Sequence, residues 1–317
     1  MEIPDQLINT VSRRTERTAS PAVRALIDEI LVRHGEAVQG ILFYGSCLRS
    51  GDDLDGLVDL YLLVEDYRKA LKSRIQAFLN ALLPPNVYYL EREFKGNIVR
   101  TKYAVLSLAD FQKGTSLGWF HSYLWGRFCQ PTVLVYARND DVRQLVQKGF
   151  AQSVMAFIAR VLPMVPHEFT AQQLWHRGLA LSYGAELRSE KADKLERLFD
   201  AAPDYYEEVT RLALNAMDYP VEAVGDEVKV RYRLSISRAR RLGGRLAWRL
   251  RSVEGKLLSI LRLMKAALTF EGGVDYVLWK IERHTGIALD VEPRFKRLPM
   301  LAMGVLAWRL YRRGGFR

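Results

Sequence analysis

Cysteine is nearly missing from this chain of 317 residues, with Cys47 and Cys129 the only two. They fall at no metal-ligand spacing and cannot build a disulfide framework, so the sequence reads as a protein of a reducing, intracellular compartment. The five histidines, His34, His121, His167, His176 and His284, form no cluster and gain no role. The opening residues MEIPDQLINT have neither the basic start nor the apolar stretch of a secretory signal. Near the end, the longest uncharged run is Leu298 to Trp308. It contains Pro299 and falls short of the roughly 20 apolar residues that a helix needs to cross a bilayer. Internal repeats and low-complexity stretches are also lacking. These absences exclude a disulfide scaffold, a Cys/His metal module and a membrane-spanning protein.

What is present is an ordinary globular composition, 49% apolar and 26% charged, long enough for two domains rather than one. The charge is lopsided. Residues 229–317 hold 21 Lys and Arg against 6 Asp and Glu, so the formal +11 of the whole chain comes entirely from its last 89 residues. Such asymmetry points to an anionic partner surface, either nucleic acid or lipid.

Along the chain, Ser20-Pro21 caps a helix through His34, and strands are expected at Gln39–Tyr44 and Leu57–Val64 around a polar loop, Ser46–Gly56. Helical spacing covers Tyr67 to Leu82 and stops at Pro84-Pro85. Val87–Phe94 and Ile98–Leu106 read as a strand pair turning at Lys95-Gly96-Asn97. Short helices near Leu108 and over Leu117–Phe128 lead to an apolar run at Val133–Tyr136. Beyond Asn139-Asp140 the pattern turns helical over Val142–Leu162, Ala171–Arg188 and Asp204–Met217, followed by an isolated alternating strand around Val230. This order predicts an α/β (α+β) domain with a mixed sheet, then a helical domain. In the final segment Arg238, Arg241, Arg245 and Arg249 run beside Leu242, Leu246, Leu250, Val253, Leu257 and Leu261. Gly243-Gly244 argues against one continuous helix there. Trp308, Arg309, Tyr311, Arg312 and Arg313 close the chain.

The chemistry concentrates in ILFYGSCLRSGDDLDGLVDLYLLV, residues 41–64. Gly45 lets the backbone approach a phosphate closely, and exposed amides at such a turn form an anion-binding concavity to which the Ser46 hydroxyl adds a donor. Asp59, 13 residues later, lies inside an apolar strand, where a carboxylate needs a cation. It is either a satisfied loop-capping acid or a metal ligand, and the neighbouring Gly-Ser strand end favours the ligand. Mg²⁺ needs only one or two carboxylates when substrate phosphates supply the remaining oxygens. The broad nucleotidyltransferase pattern places a second acid two residues on, where this chain has Tyr61. Glu91 and Glu93, on one face of the next strand, are the nearest candidates to replace it, while Asp52, Asp53 and Asp55 read as solvated loop residues. Lys102, within the apolar stretch TKYAVL, needs an anion, either a substrate phosphate or Glu93.

Taken together, YGS at Tyr44–Ser46, VDLYLLV with Asp59, TKYAVLS at Thr101–Ser107, YLWGRFCQP at Tyr123–Pro131 and ALSYGAELR at Ala180–Arg188 resemble the mitochondrial-type phosphatidate cytidylyltransferase family. These are CDP-diacylglycerol synthases of the nucleotidyltransferase superfamily. The resemblance implies transfer of CMP from CTP to phosphatidic acid with Mg²⁺, by a nucleotidyltransferase domain (1–138), a helical domain (139–230) and a basic amphipathic region (231–317). It implies that Gly45 and Ser46 hold the triphosphate, that Tyr44 also binds substrate, and that Asp59 and Glu93 bind the metal. Lys102 would neutralise phosphate, and Tyr123, Arg127, Ser182 and Tyr183 would line the cleft. Cys47 stands where the family has glycine, and the loop before Asp59 lacks the family's glutamine. The expected location is cytoplasmic, peripheral on the inner face of the membrane, with the basic region on anionic lipid and no nucleic acid partner. Two rival readings stay open: a relative that binds RNA through its basic tail, and a catalytically silent scaffold.

Overall fold

In this computed structural model the described residues are 2–54, 56–186, 192–224 and 230–269. Helix α1 spans Asp5–Thr15 and α2 Pro21–His34; in α2 the Ser20 hydroxyl accepts from the amide of Val23 and Pro21 fills the first turn. Strand β1 (Val38–Tyr44) is followed by one helical turn, α3 (Ser46–Ser50), and by β2 (Leu57–Val64). The expected helix over 67–82 is broken into α4 (Tyr67–Ala70) and α5 (Arg74–Leu82), because Ser73 turns its hydroxyl onto the amide of Gln76 and starts a new helix. Strands β3 (Asn86–Phe94) and β4 (Asn97–Ser107) form an antiparallel hairpin whose two turn residues, Lys95 and Gly96, both have positive φ. The main sheet has the order β3-β4-β2-β1-β5, with β5 at Val133–Ala137 antiparallel to β1.

After β4 come α6 (Leu108–Thr115), α7 (Trp125–Phe128), α8 (Asp140–Val161), α9 (Ala171–Gly184), α10 (Ala192–Asp200) and α11 (Pro203–Ala216). The expected helix over Leu117–Phe128 forms only in its last turn. Its upstream carbonyls are instead taken by side chains: Arg160 donates to Leu117 and Trp119, and the Trp125 indole also donates to Trp119. A second, three-stranded sheet has β8 (Arg231–Leu234) between β6 (Glu168–Phe169) and β7 (Val221–Val224), so the strand expected as isolated is paired on both sides. Helix α12 runs unbroken over Arg238–Thr269. The Gly243-Gly244 pair does not interrupt it; a Cβ on Gly244 would lie 2.5 Å from Pro163 Cβ, so that glycine marks a close approach.

By compactness the chain divides into two interleaved units, one of Met1–Thr18, Gln39–Tyr44 and Ser107–Ile260, the other of Ala19–Val38, Gly45–Leu106 and Leu261–Arg317. The first is cored on α8, where Phe157 stacks on Trp175 at 4.4 Å and the Trp175 indole donates to Thr210. Phe111, Phe128 and Phe150 pack there as an aromatic triad. In the second unit Tyr88 stacks on Tyr103 at 5.4 Å, and the His34 ring bridges the Ala70 carbonyl and the Tyr103 hydroxyl.

Candidate active site

Asp59 is the third residue of β2, its neighbours Val58 and Leu60 are fully buried, and its own side chain is 21% exposed. Its Oδ1 accepts from Lys102 Nζ at 3.2 Å. The Thr101 hydroxyl donates to the Val58 carbonyl at 2.9 Å and fixes the neighbouring residue of β4 beside it. The other face of the carboxylate meets Gly45, whose φ is +91° and on which a Cβ would stand 2.6 Å from Asp59 Oδ2. Gly45 therefore satisfies two demands at once, a left-handed backbone and an empty side-chain position. Ser46 follows, exposed at the first position of α3. The structure thus brings together Gly45, Ser46, Asp59 and Lys102.

Glu93 is not brought to them. The β3–β4 register sets Tyr89 opposite Lys102 and Glu93 opposite Ile98, near the hairpin turn. Four residues of strand put Glu93 about 13 Å along from Tyr89. Between them Glu91 accepts from the Tyr89 hydroxyl at 3.1 Å and pairs with Arg100 at 3.6 Å. Burial and then the Glu91 charge raise the Tyr89 phenol above its ordinary range.

A second carboxylate that acts on the same thiol as Asp59 comes from the loop before β2. The Cys47 thiol, donating to the Leu57 carbonyl, is pushed up to about 11 by burial, then by Asp59, Asp53 and Asp52 in that order. Asp59 and Asp53 therefore both act on one buried sulfur, and Asp53 Oδ1 is itself buried with no hydrogen-bond partner among the described residues. The raised value also makes Cys47 an inert thiol rather than a nucleophile. No group of three or more His, Cys, Asp or Glu side chains that could hold a metal occurs among the described residues. The donor set fits a hard cation such as Mg²⁺, for which one or two carboxylates are enough when phosphate oxygens complete the shell.

The remaining expected residues belong to the other compact unit. Tyr44 ends β1 and is half-buried. The Arg127 guanidinium lies over the Tyr123 ring at 4.5 Å and pairs with Glu186 at 3.2 Å. Gln130 donates from Nε2 to the Tyr183 hydroxyl at 3.3 Å and to the Gly126 carbonyl at 3.0 Å. Ser182 is buried and turns its hydroxyl back onto the Leu179 carbonyl. Glu186 and Gln130 were passed over as site residues, although both lie in the GAELR and GRFCQP segments. Their signal was a charged or amide group beside a predicted binding residue. Chemically, this cluster offers a cation on an aromatic platform, able to exchange a carboxylate for a phosphate.

These features define a mixed α/β chain with an acid–lysine pair set against a glycine strand end, and comparison with known proteins adds a likeness over part of the chain. The model of the mitochondrial phosphatidate cytidylyltransferase family matches residues 65–219, just under half of the chain, a span that holds three of the five motifs on which the resemblance rests. The span contains Lys102, Tyr123, Arg127, Ser182 and Tyr183 and begins after Gly45 and Asp59. A mitochondrial phosphatidate cytidylyltransferase of Caenorhabditis briggsae is 22% identical over an alignment of 196 positions that covers 56% of this chain and 60% of that protein. The matched region thus spans less than two thirds of that relative's length. A solved nucleotidyltransferase-like protein from Exiguobacterium sibiricum aligns over 92% of this chain and 91% of its own at 14% identity. Its TM-score of 0.23 is too low to assign a fold.

Proposed function

We propose that the chain is a CTP:phosphatidate cytidylyltransferase. A phosphatidate phosphate oxygen attacks the α-phosphorus of CTP, forming the new P–O bond of CDP-diacylglycerol as the α–β bridge breaks and pyrophosphate leaves with the bonding pair. A phosphatidate dianion is already a nucleophile, so no side chain needs to remove a proton. What the residues must do is position two anions and offset their repulsion. Gly45 and Ser46 supply close backbone approach and a hydroxyl to the triphosphate. Lys102, released from part of its pairing with Asp59, neutralises phosphate charge. Arg127, on its Tyr123 platform, is the cation of the second cluster. Asp59, with Asp53 as its partner, would hold Mg²⁺, which when bound screens the phosphate oxygens and stabilises the leaving pyrophosphate.

The observation that carries this reading is the Asp59–Lys102 pair seated under the Gly45 backbone, beside a family match that includes Lys102. Its test is incubation of the full chain with labelled CTP, Mg²⁺ and phosphatidate vesicles. Formation of labelled liponucleotide with release of pyrophosphate is expected. No turnover with any phosphate-bearing acceptor would leave the silent scaffold.

The acceptor lives in a bilayer, and α12 supports peripheral attachment there. Among the described residues no helix is long and apolar enough to cross a membrane. Helix α12 instead has its polarity reversed. Arg241, Trp248 and Arg251 turn inward and donate to the carbonyls of Val165, Arg160 and Phe120, while Leu242, Leu246, Leu250, Val253 and Leu257 stay 55–69% exposed. Helical spacing places Arg238, Arg245, Arg249 and Lys256 along one flank of that apolar stripe. An apolar face bordered by arginine fits the interface of an anionic bilayer better than an RNA backbone. Trp308 and the arginines after it lie outside the described residues.

A further inference from the structure

Arg251 is only 7% exposed. Its Nε donates to the Phe120 carbonyl at 2.8 Å, and its guanidinium lies 4.4 Å from the Phe120 ring and 5.2 Å from the Trp248 ring. Among the described residues neither terminal nitrogen of Arg251 has a hydrogen-bond partner, and neither is sealed from solvent. A second cation stands beside it. Arg160, on α8, donates to the carbonyls of Ala156, Leu117 and Trp119 and lies 5.1 Å from the Trp125 ring, leaving its own Nε buried and unpartnered. Trp125 and Trp248 meet edge to face at 5.9 Å, so the two arginines flank one indole pair. No carboxylate forms an ion pair with either arginine among the described residues.

We propose that Arg251, backed by Arg160, is the seat of a phosphate group, opening beside Phe120. Two desolvated guanidiniums are costly when the one acid acting on Arg251, Glu254, forms no ion pair with it and keeps its own Oε2 buried and unpartnered, and a bound anion offsets much of that cost. Capping the loop carbonyls accounts for Arg160 and for one nitrogen of Arg251. It leaves Arg251 the paired Nη atoms of a planar fork, whose geometry matches two phosphate oxygens. The electrostatics agree: burial and then the Arg160 charge bring Arg251 down to about 10, and Glu254, the one acid acting on it, offsets this only in part. Lys113, over the Trp119 ring at 4.8 Å, adds positive charge at the same loop. A lipid headgroup and free phosphate share this chemistry, and the experiment separates them. The inference is independent of CMP transfer, since none of its readouts involves CTP.

The test compares the full-length protein with its Arg251→Gln variant in two assays. One is sedimentation with phosphatidylcholine vesicles containing or lacking phosphatidylglycerol; the other is thermal unfolding with and without inorganic phosphate. Loss of one bidentate charged contact should weaken phosphatidylglycerol-dependent binding about tenfold, with Arg251→Lys intermediate, if the occupant is a headgroup. If the occupant is free phosphate, phosphate should raise the unfolding temperature of the wild type and leave the variant unmoved. If both proteins behave alike in both assays, the arginines serve only to cap the loop and the proposal fails. Should Arg251→Gln not fold, phenylglyoxal labelling of the wild type decides. Protection of Arg251 by phosphate or by phosphatidylglycerol vesicles supports the site, and equal labelling under all conditions overturns it.

Discussion

Asp59 is a carboxylate on a strand whose next five residues, Leu60 to Val64, are fully buried, and pairing with Lys102 offsets its cost. Asp59→Asn keeps the shape and removes the charge. Turnover should fall a hundredfold or more, roughly the loss expected for a principal electrostatic group, while the urea midpoint stays close to that of the wild type. Gly45→Ala should act through the backbone: a residue forced to φ near +91° and against Asp59 loses about 1–3 kcal/mol, read as a lower unfolding temperature together with weakened activity. Lys265 gives a pH signature. It is buried on α12 with its ammonium on the carbonyls of Leu83 and Pro85, and burial, then Arg262, lowers it to about 7 from an ordinary 10.5. Between those values the unfolded chain holds a proton that the folded chain has released. This group's contribution to stability therefore rises with pH across that window. Lys265→Met should remove that rise, so urea midpoints measured at about pH 7 and about pH 9 should differ less than in the wild type.

At the scale of elements, the strands were the most legible. Leu57–Val64 forms as read, and the hairpin falls within a residue of the expected ends because Lys95-Gly96 encodes its turn. Two of the helix misreadings share one cause: side chains took over backbone bonds that the pattern gave to helices. Ser73 restarts the helix after Leu71, and Arg160 with Trp125 holds residues 117–119 open. Both are long-range or capping events invisible to periodicity. The Gly243-Gly244 pair misled for the opposite reason, since Pro163 comes from far along the chain to meet the second glycine. The site was half legible. Asp59 and Lys102 each stand out in the sequence as charges in apolar strands, but that they pair with each other, and that Glu93 lies apart from them, required the strand register. At this scale the prediction concerns the α12 stripe. Replacing Leu246, Leu250 and Leu257 with serine should lower vesicle affinity by about tenfold or more, checked by flotation, without shifting the unfolding temperature downward, because these side chains face solvent.

For the molecule as a whole, compactness does not follow the sequence in blocks. Each of the two units draws on three separate stretches of chain, whereas composition alone marks three successive regions. A truncation before residue 231 would therefore remove α12 and strand β8 together and expose Phe169, which stacks near Tyr232 at 5.6 Å. Point substitutions on the helix are the cleaner test of membrane attachment. The reversed polarity of α12 also has a consequence for how the protein behaves once purified. A row of greasy side chains turned toward water has only other copies, tube walls or surfactant to meet when no bilayer is offered. Dilute preparations should elute as discrete species in mild detergent and grow into larger, polydisperse material as it is withdrawn.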